Sequence, residues 1–149
     1  MHERDVQQLA EAHGFALCGV TDARPSDHRE HVHQWLADDR HGEMAYLSNN
    51  LNVRLDPDAL LDGAKSIICI ADFYPHREPP AEGGDEPRGR IARYAWGDDY
   101  HKIIKKRLFA MADALRQGEP EHAFRCAVDT APLLEREHAH RAGIGWVGK

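Results

Sequence analysis

The run SIICIADFYP, residues 66–75, constrains the fold of this 149-residue chain more than any other stretch. Isoleucines 67, 68 and 70 with two aromatics, closed by a proline, predict a strand, because branched and aromatic side chains suit a pleated, half-buried surface and proline cannot extend the ladder. The strand reads as central, since helical spacing flanks it on both sides. Val6, Leu9 and Ala10, stopped by Gly14, predict a helix over 4–13. Val32, Trp35 and Leu36 predict one over 28–40. Ile104, Leu108, Met111 and Leu115 form the apolar stripe of a helix over 99–117 that Asp98 and Asp99 begin. Shorter helices are expected around Met44–Leu47 and within DPDALLDGAKS, after the break at Asp56–Pro57. FALCGV (15–20), IARYA (91–95) and FRCAVD (124–129) read as further strands, and TAPLLEREHAHRA as a last helix with Pro132 in its first turn. Residues 76–90 carry three prolines and three glycines and read as a surface loop. Helices alternating with buried strands predict an α/β (α+β layered) domain over 1–149, a mixed central sheet flanked by helices.

Composition narrows the class. With 42% hydrophobic and 30% charged residues the chain is an ordinary globular one. No apolar run reaches the roughly 20 residues of a membrane helix. The start, MHERDVQQLAEAHG, lacks the apolar core of a secretory signal, so a cytoplasmic protein is expected. Cys18, Cys69 and Cys126 lie far apart in apolar runs and are expected as buried free thiols. The net charge of -6 argues against wrapping nucleic acid over the whole surface. Between Arg88 and Arg107, however, seven basic residues face only Asp98 and Asp99. That local excess draws an anion to one face or merely solvates a helix.

The stretch GIGWVGK, residues 143–149, satisfies both G-x-G-x-x-G and G-x-x-x-x-G-K. Both nucleotide readings fail on context, because the glycines follow a helix pattern instead of joining a strand to a helix N-terminus. What remains is a backbone able to approach a partner closely beside the flat face of Trp146, or a glycine-rich helix stop. Asp129, in VDTAP, stands between an expected strand and an expected helix, where ligands lie in open α/β sheets and where Asp129 or Thr130 would also serve as a helix cap. To act as an acid it needs an apolar surface that lifts its pKa. Tyr94, Trp96, Tyr100 and His101 gather at a turn and helix start, as packing or as proton-transfer groups. Among eleven histidines, His28, His31 and His33, or Glu135 with His138, invite a metal. A di-iron bundle needs paired Glu-x-x-His motifs, and only one occurs, so no metal site is expected.

Taken together and in order, GFALCGVTDA, WLADDRHGEMAYL, RLDPDALLDGAKSII, IARYAWGDDYHKIIKKRL, VDTAPLLERE and AGIGWVGK resemble the N-terminal half of epoxyqueuosine reductases. The resemblance spans essentially the whole chain. It implies a corrinoid-binding α/β domain, similar to cobalamin-processing and nitroreductase-like folds, in which cobalamin reduced through iron-sulfur clusters removes the epoxide oxygen of a modified base in a tRNA anticodon loop. Carried over by residue, it implies Asp129 as proton donor, with Tyr100 and His101 lining the substrate pocket. Arg54, Thr130, Ala131, Gly145, Trp146, Gly148 and Lys149 would meet the corrin. Arg93, Lys102, Lys105 and Lys106 would meet the phosphates of the anticodon stem-loop. The family pattern continues past GWVGK into cysteine-rich cluster motifs. Three isolated cysteines cannot hold a four-iron cluster, so a truncated or split product is expected, completed by a separate iron-sulfur polypeptide or an external reductant. The alternative expectation is a non-catalytic corrinoid-binding or processing module.

Overall fold

The computed structural model describes residues 2–74, 89, 91–129 and 131–147. Helix α1 (Glu3–Ala12) leads into strand β1 (Leu17–Asp22), followed by α2 (Arg29–Ala37), the short α3 (Leu51–Leu55), strand β2 (Ser66–Ala71), the long α4 (Tyr100–Gly118) and α5 (Glu135–Arg141). The strands run antiparallel, with Leu17 opposite Ala71 and Asp22 opposite Ser66, and they are the whole sheet among the described residues.

Local chemistry starts the helices. The Asp5 carboxylate accepts from the His2 backbone N–H at 2.9 Å in front of α1, and the Asp99 carboxylate accepts from the His101 N–H at 3.0 Å in front of α4. Gly14 leaves α1 with φ +81, a left-handed turn that brings Phe15 into the core.

The elements form three layers. Val6 and Ala10 of α1, Phe15, and Met111 and Leu115 of α4 make the buried cluster, and Cys18, Val20, Ile68 and Ile70 pack against it from the strands. Side-chain alternation turns Gly19 and Cys69 to the opposite face, which α5 covers. Gly19 permits that approach: a Cβ there would lie 2.1 Å from the Ala142 carbonyl oxygen. A polar clasp completes the joint. Ser26 Oγ donates to Glu137 Oε2 at 2.5 Å, and the Asp27 N–H donates to Glu137 Oε1 at 2.9 Å. Arg141 lies 3.8 Å from Glu137 Oε1, donates to the Asp22 carbonyl at 2.9 Å and pairs with the Asp22 carboxylate. Ser26 and Glu137 are both buried, so each partner removes a desolvation cost for the other.

The layered α/β reading holds, with a smaller sheet than expected. IARYA forms no strand; Arg93–Ala95 is a 3-10 turn and Ile91 is 71% exposed. FRCAVD forms no strand either, and among the described residues β2 is paired on one side only. β2 also ends at Ala71, short of the aromatic pair. The last helix begins at Glu135, so Asp129 is not its cap and Pro132 precedes it. Helix α3 escaped the periodicity reading because it is a single turn. The loop expected over 76–90 lies outside the described residues apart from Gly89, and so do Thr130, Gly148 and Lys149. All three cysteines are free and half-buried. Burial pushes the Cys69 thiol up to about 11, which makes it a poor nucleophile.

Candidate active site

Helix α4 starts immediately after Asp99, and that start fixes two candidate side chains. Tyr100 and His101 are its first residues, and their rings stack with centroids 4.0 Å apart. Tyr94 meets the Tyr100 ring edge-on at 5.9 Å, and Tyr74 meets Tyr94 at 6.5 Å, so an aromatic row supports the helix start.

Asp129 arrives from the other side of the chain. Its backbone is left-handed, with φ +50, and its N–H donates to Glu135 Oε1 at 2.9 Å. Its Oδ2 lies 2.7 Å from His101 Nε2 and accepts from the Tyr100 hydroxyl at 3.4 Å. The other nitrogen of the same ring, Nδ1, lies 2.9 Å from Asp99 Oδ1. With a carboxylate at each nitrogen, the ring is stable with both protons in place. The His101 pKa is accordingly raised, first by the Asp129 hydrogen bond and then by Asp99. Asp99 is lowered, chiefly by the His101 side chain and then by its backbone N–H. Tyr100 is raised by desolvation and then by the Asp129 carboxylate, which keeps the phenol a donor. Glu135 is open to solvent as a residue, yet its carboxyl is raised, first by desolvation, while the Asp129 N–H acts against that shift. The Asp129 side chain remains 55% exposed. The arrangement is a doubly paired imidazolium that can pass a proton to an accessible carboxylate.

Asp129 and Tyr100 stand at one end of a cavity of about 740 Å³, within the range of ligand pockets. Glu135 and His138 also line it; His138 is buried, with Nδ1 unpartnered and its pKa lowered by desolvation. Among the described residues no group of three or more His, Cys, Asp or Glu could hold a metal ion, and no helix is long and apolar enough to cross a membrane.

Of the residues singled out from sequence, the structure brings Asp129, Tyr100 and His101 together. Arg54, Ala131, Gly145 and Trp146 do not line that cavity. Arg54 is half-buried with Nε unpartnered, the Ala131 carbonyl accepts from the Leu133 N–H at 2.8 Å in a bend, and the Gly145 carbonyl lies 3.1 Å from His140 Nδ1. Trp146 is 94% exposed. A Cβ at Gly143 or Gly145 would meet nothing within 4 Å, and Gly143, at φ +74, acts as a helix stop. Lys102, Lys105 and Lys106 are exposed along α4, and Arg93 is exposed on the 3-10 turn. Arg107, from the same basic stretch, instead serves the fold. It pairs with Asp72 at 2.6 Å, donates to the carbonyls of His13 and Gly14, and lies over the Phe15 ring. Sequence reasoning missed the ring contacts of Asp99 and the role of Glu135. An acid two residues before a histidine at a helix start was the available signal for the first, and none pointed to the second.

The sequence and the fold recur among known proteins. The chain is 38% identical over 152 residues to the epoxyqueuosine reductase of Cyclobacterium marinum, an alignment covering 99% of this chain and 47% of that protein. The epoxyqueuosine reductase structure from Streptococcus thermophilus superposes with a TM-score of 0.84 at 29% identity, covering 97% of this chain and 39% of that one. A crystal structure of epoxyqueuosine reductase with an epoxyqueuosine-modified tRNA-Tyr stem loop superposes with a TM-score of 0.79 at 30% identity, covering 96% and 38%. The chain thus spans about half the length of the curated relatives it matches. The family model described as epoxyqueuosine reductase QueG, DUF1730 matches residues 54–130, a range that includes β2, α4 and Asp129, and on this match the chain belongs to the epoxyqueuosine reductase family.

Proposed function

We propose that this chain is the corrinoid-binding catalytic part of a cytoplasmic epoxyqueuosine reductase, in which Asp129 donates a proton to the oxygen leaving the epoxide of a modified tRNA base. The observation that carries the reading is the contact of Asp129 Oδ2 with His101 Nε2 at 2.7 Å, on a carboxylate still open to a ligand. Residues 1–149 would act as one corrinoid-binding domain. The residues present fit such a cofactor. Arg54 keeps a buried Nε without a protein partner, and Trp146 offers an almost fully exposed ring to a large apolar surface. Arg54, Thr130, Ala131, Gly145, Trp146, Gly148 and Lys149 would hold it. When bound, cobalamin supplies the electron pair that opening the epoxide requires; iron-sulfur clusters on another polypeptide, or an external reductant, would recharge it.

The chain's own groups manage the protons. His101, held as an imidazolium by Asp99, passes its proton to Asp129 through the 2.7 Å contact, and Asp129 delivers it to the departing oxygen. The Tyr100 hydroxyl, kept protonated, orients the acceptor oxygen. Arg93, Lys102, Lys105 and Lys106 would bind the stem-loop phosphates and thereby fix its register without reading its sequence.

The test combines the purified chain with cobalamin, a chemical reductant and an epoxyqueuosine-modified stem loop, and follows loss of one oxygen from the base by mass spectrometry. Asp129→Asn should lower product formation by about 100-fold or more, within the range of general acid catalysis, while a cobalamin spectrum still travels with the protein through gel filtration. Equal turnover by the Asn variant would refute the assignment. A retained spectrum without product from the wild-type chain would leave a carrier role.

A further inference from the structure

The cavity is bounded in a way that a small-molecule pocket is not. Its roof is the buried face of α4, from Tyr100 through Ile104, Leu108 and Met111 to Leu115, and its floor is formed by Leu133, His138 and Ala139 at α5. Each long side is a run of consecutive residues, 64–72 along β2 and 121–129 opposite. Fifteen residues of α4 span about 22 Å, and a six-residue strand spans about 20 Å. At ordinary strand and layer spacings, one such strand fills on the order of 900 Å³. The cavity, about 740 Å³, is of the same order as one such strand.

Hydrogen-bond phase points the same way. The Ala23 N–H donates to the Lys65 carbonyl at 3.1 Å, which by the antiparallel register makes 21/67, 19/69 and 17/71 the directly bonded pairs. Ser66, Ile68 and Ile70 therefore turn their N–H and C=O groups away from β1, along the side where β2 has no neighbouring strand among the described residues.

We infer that the cavity is a docking slot for one β-strand, added to the open edge of β2 between α4 and α5, and supplied by the half of an epoxyqueuosine reductase polypeptide that this chain does not span. The identity of the donor rests on the family membership; the slot itself rests on the layer geometry alone. Covered by a helix on each face, the incoming segment must be a near-continuous apolar run of about six residues and not an alternating one. Backbone pairing would supply affinity and the two helix faces selectivity. The relatives' greater length supplies a source, since this chain accounts for 47% of the Cyclobacterium marinum protein.

The test uses the full 149-residue chain and overlapping 15-residue peptides tiling the unmatched half of that relative, read by residue-resolved hydrogen exchange. One tile, containing a continuous apolar run, should slow exchange at Ile68 and Ile70 by tenfold or more and leave Ile67 and Cys69, already bonded to β1, little changed. Ala127→Trp, which fills the slot from its far wall, should abolish that protection, with thermal unfolding confirming that the variant folds. Three results would overturn the inference: protection by no tile, protection that grows with the concentration of the chain alone, or protection by cyanocobalamin alone. Slot and reaction fail separately. Protection without turnover of the modified stem loop would keep the slot and remove the enzymatic reading.

Discussion

Along the outer edge of β1, side chains occupy the backbone groups that face away from β2. Gln7 Nε2 donates to the Cys18 carbonyl at 3.5 Å and Arg141 donates to the Asp22 carbonyl at 2.9 Å. Along the outer edge of β2, Ile68 and Ile70 line a largely apolar cavity. Side chains of the same chain reach the first edge, while the second lies between two helices with no neighbouring strand among the described residues. An unpaired strand edge in water is an aggregation hazard, so a roofed edge is an arrangement that stays safe while remaining able to pair. The candidate site lies at the end of this second side, which places the chemistry next to the least committed part of the fold.

The contrast can be broken most severely from the closed side. Arg141→Met removes the cation from a clasp in which the Arg141 and Glu137 side chains are 9% and 6% exposed. The buried Glu137 carboxylate keeps its hydrogen bonds from Ser26 and Asp27 but loses this cation, at a cost of about 3 kcal/mol, read as a lower urea midpoint. Gly19→Ala comes next. A Cβ within 2.1 Å of the Ala142 oxygen forces α5 off the sheet, at a cost of about 2–3 kcal/mol, and the same denaturation series should show it; an unchanged midpoint would mean that α5 is free to shift.

The smallest effect, on the open side, is in pH. His101 is raised above the usual 6.5, so the stabilisation from its pairing is fully present below that value and fades as pH rises through the raised one. Asp99 is lowered below 3.8, so its share persists above that value and fades as pH falls through the lowered one. A chemical-shift titration of the His101 ring should place its midpoint above 6.5 in the wild type and lower in Asp99→Asn. The same midpoint in both would show that Asp99 does not hold the imidazolium.

The parts of the fold that were legible are those whose stability is local. The stripe of α4, the spacing in α1 and the branched run of β2 each carry their own periodicity, and Asp99 carries its own capping chemistry. FRCAVD has the composition of a strand and is not one here, because a strand also needs hydrogen-bonding neighbours, and this segment lines the same cavity as β2 without pairing with it. The clasp of Ser26 with Glu137, separated by 111 positions, left no pattern to read: one serine and one glutamate are ordinary until the layers bring them together. Family resemblance supplied Asp129, Tyr100 and His101 as candidates, which the structure brings together, while Glu135 required the turn that places it under the Asp129 N–H.

That turn leaves Asp129 in a backbone conformation in which glycine would sit without strain and aspartate is merely tolerated. Sequence drift governed by thermal stability alone would carry the position toward glycine. Asp129→Gly would keep that backbone at ease, so any activity the variant lost would go with the carboxylate and not with the fold.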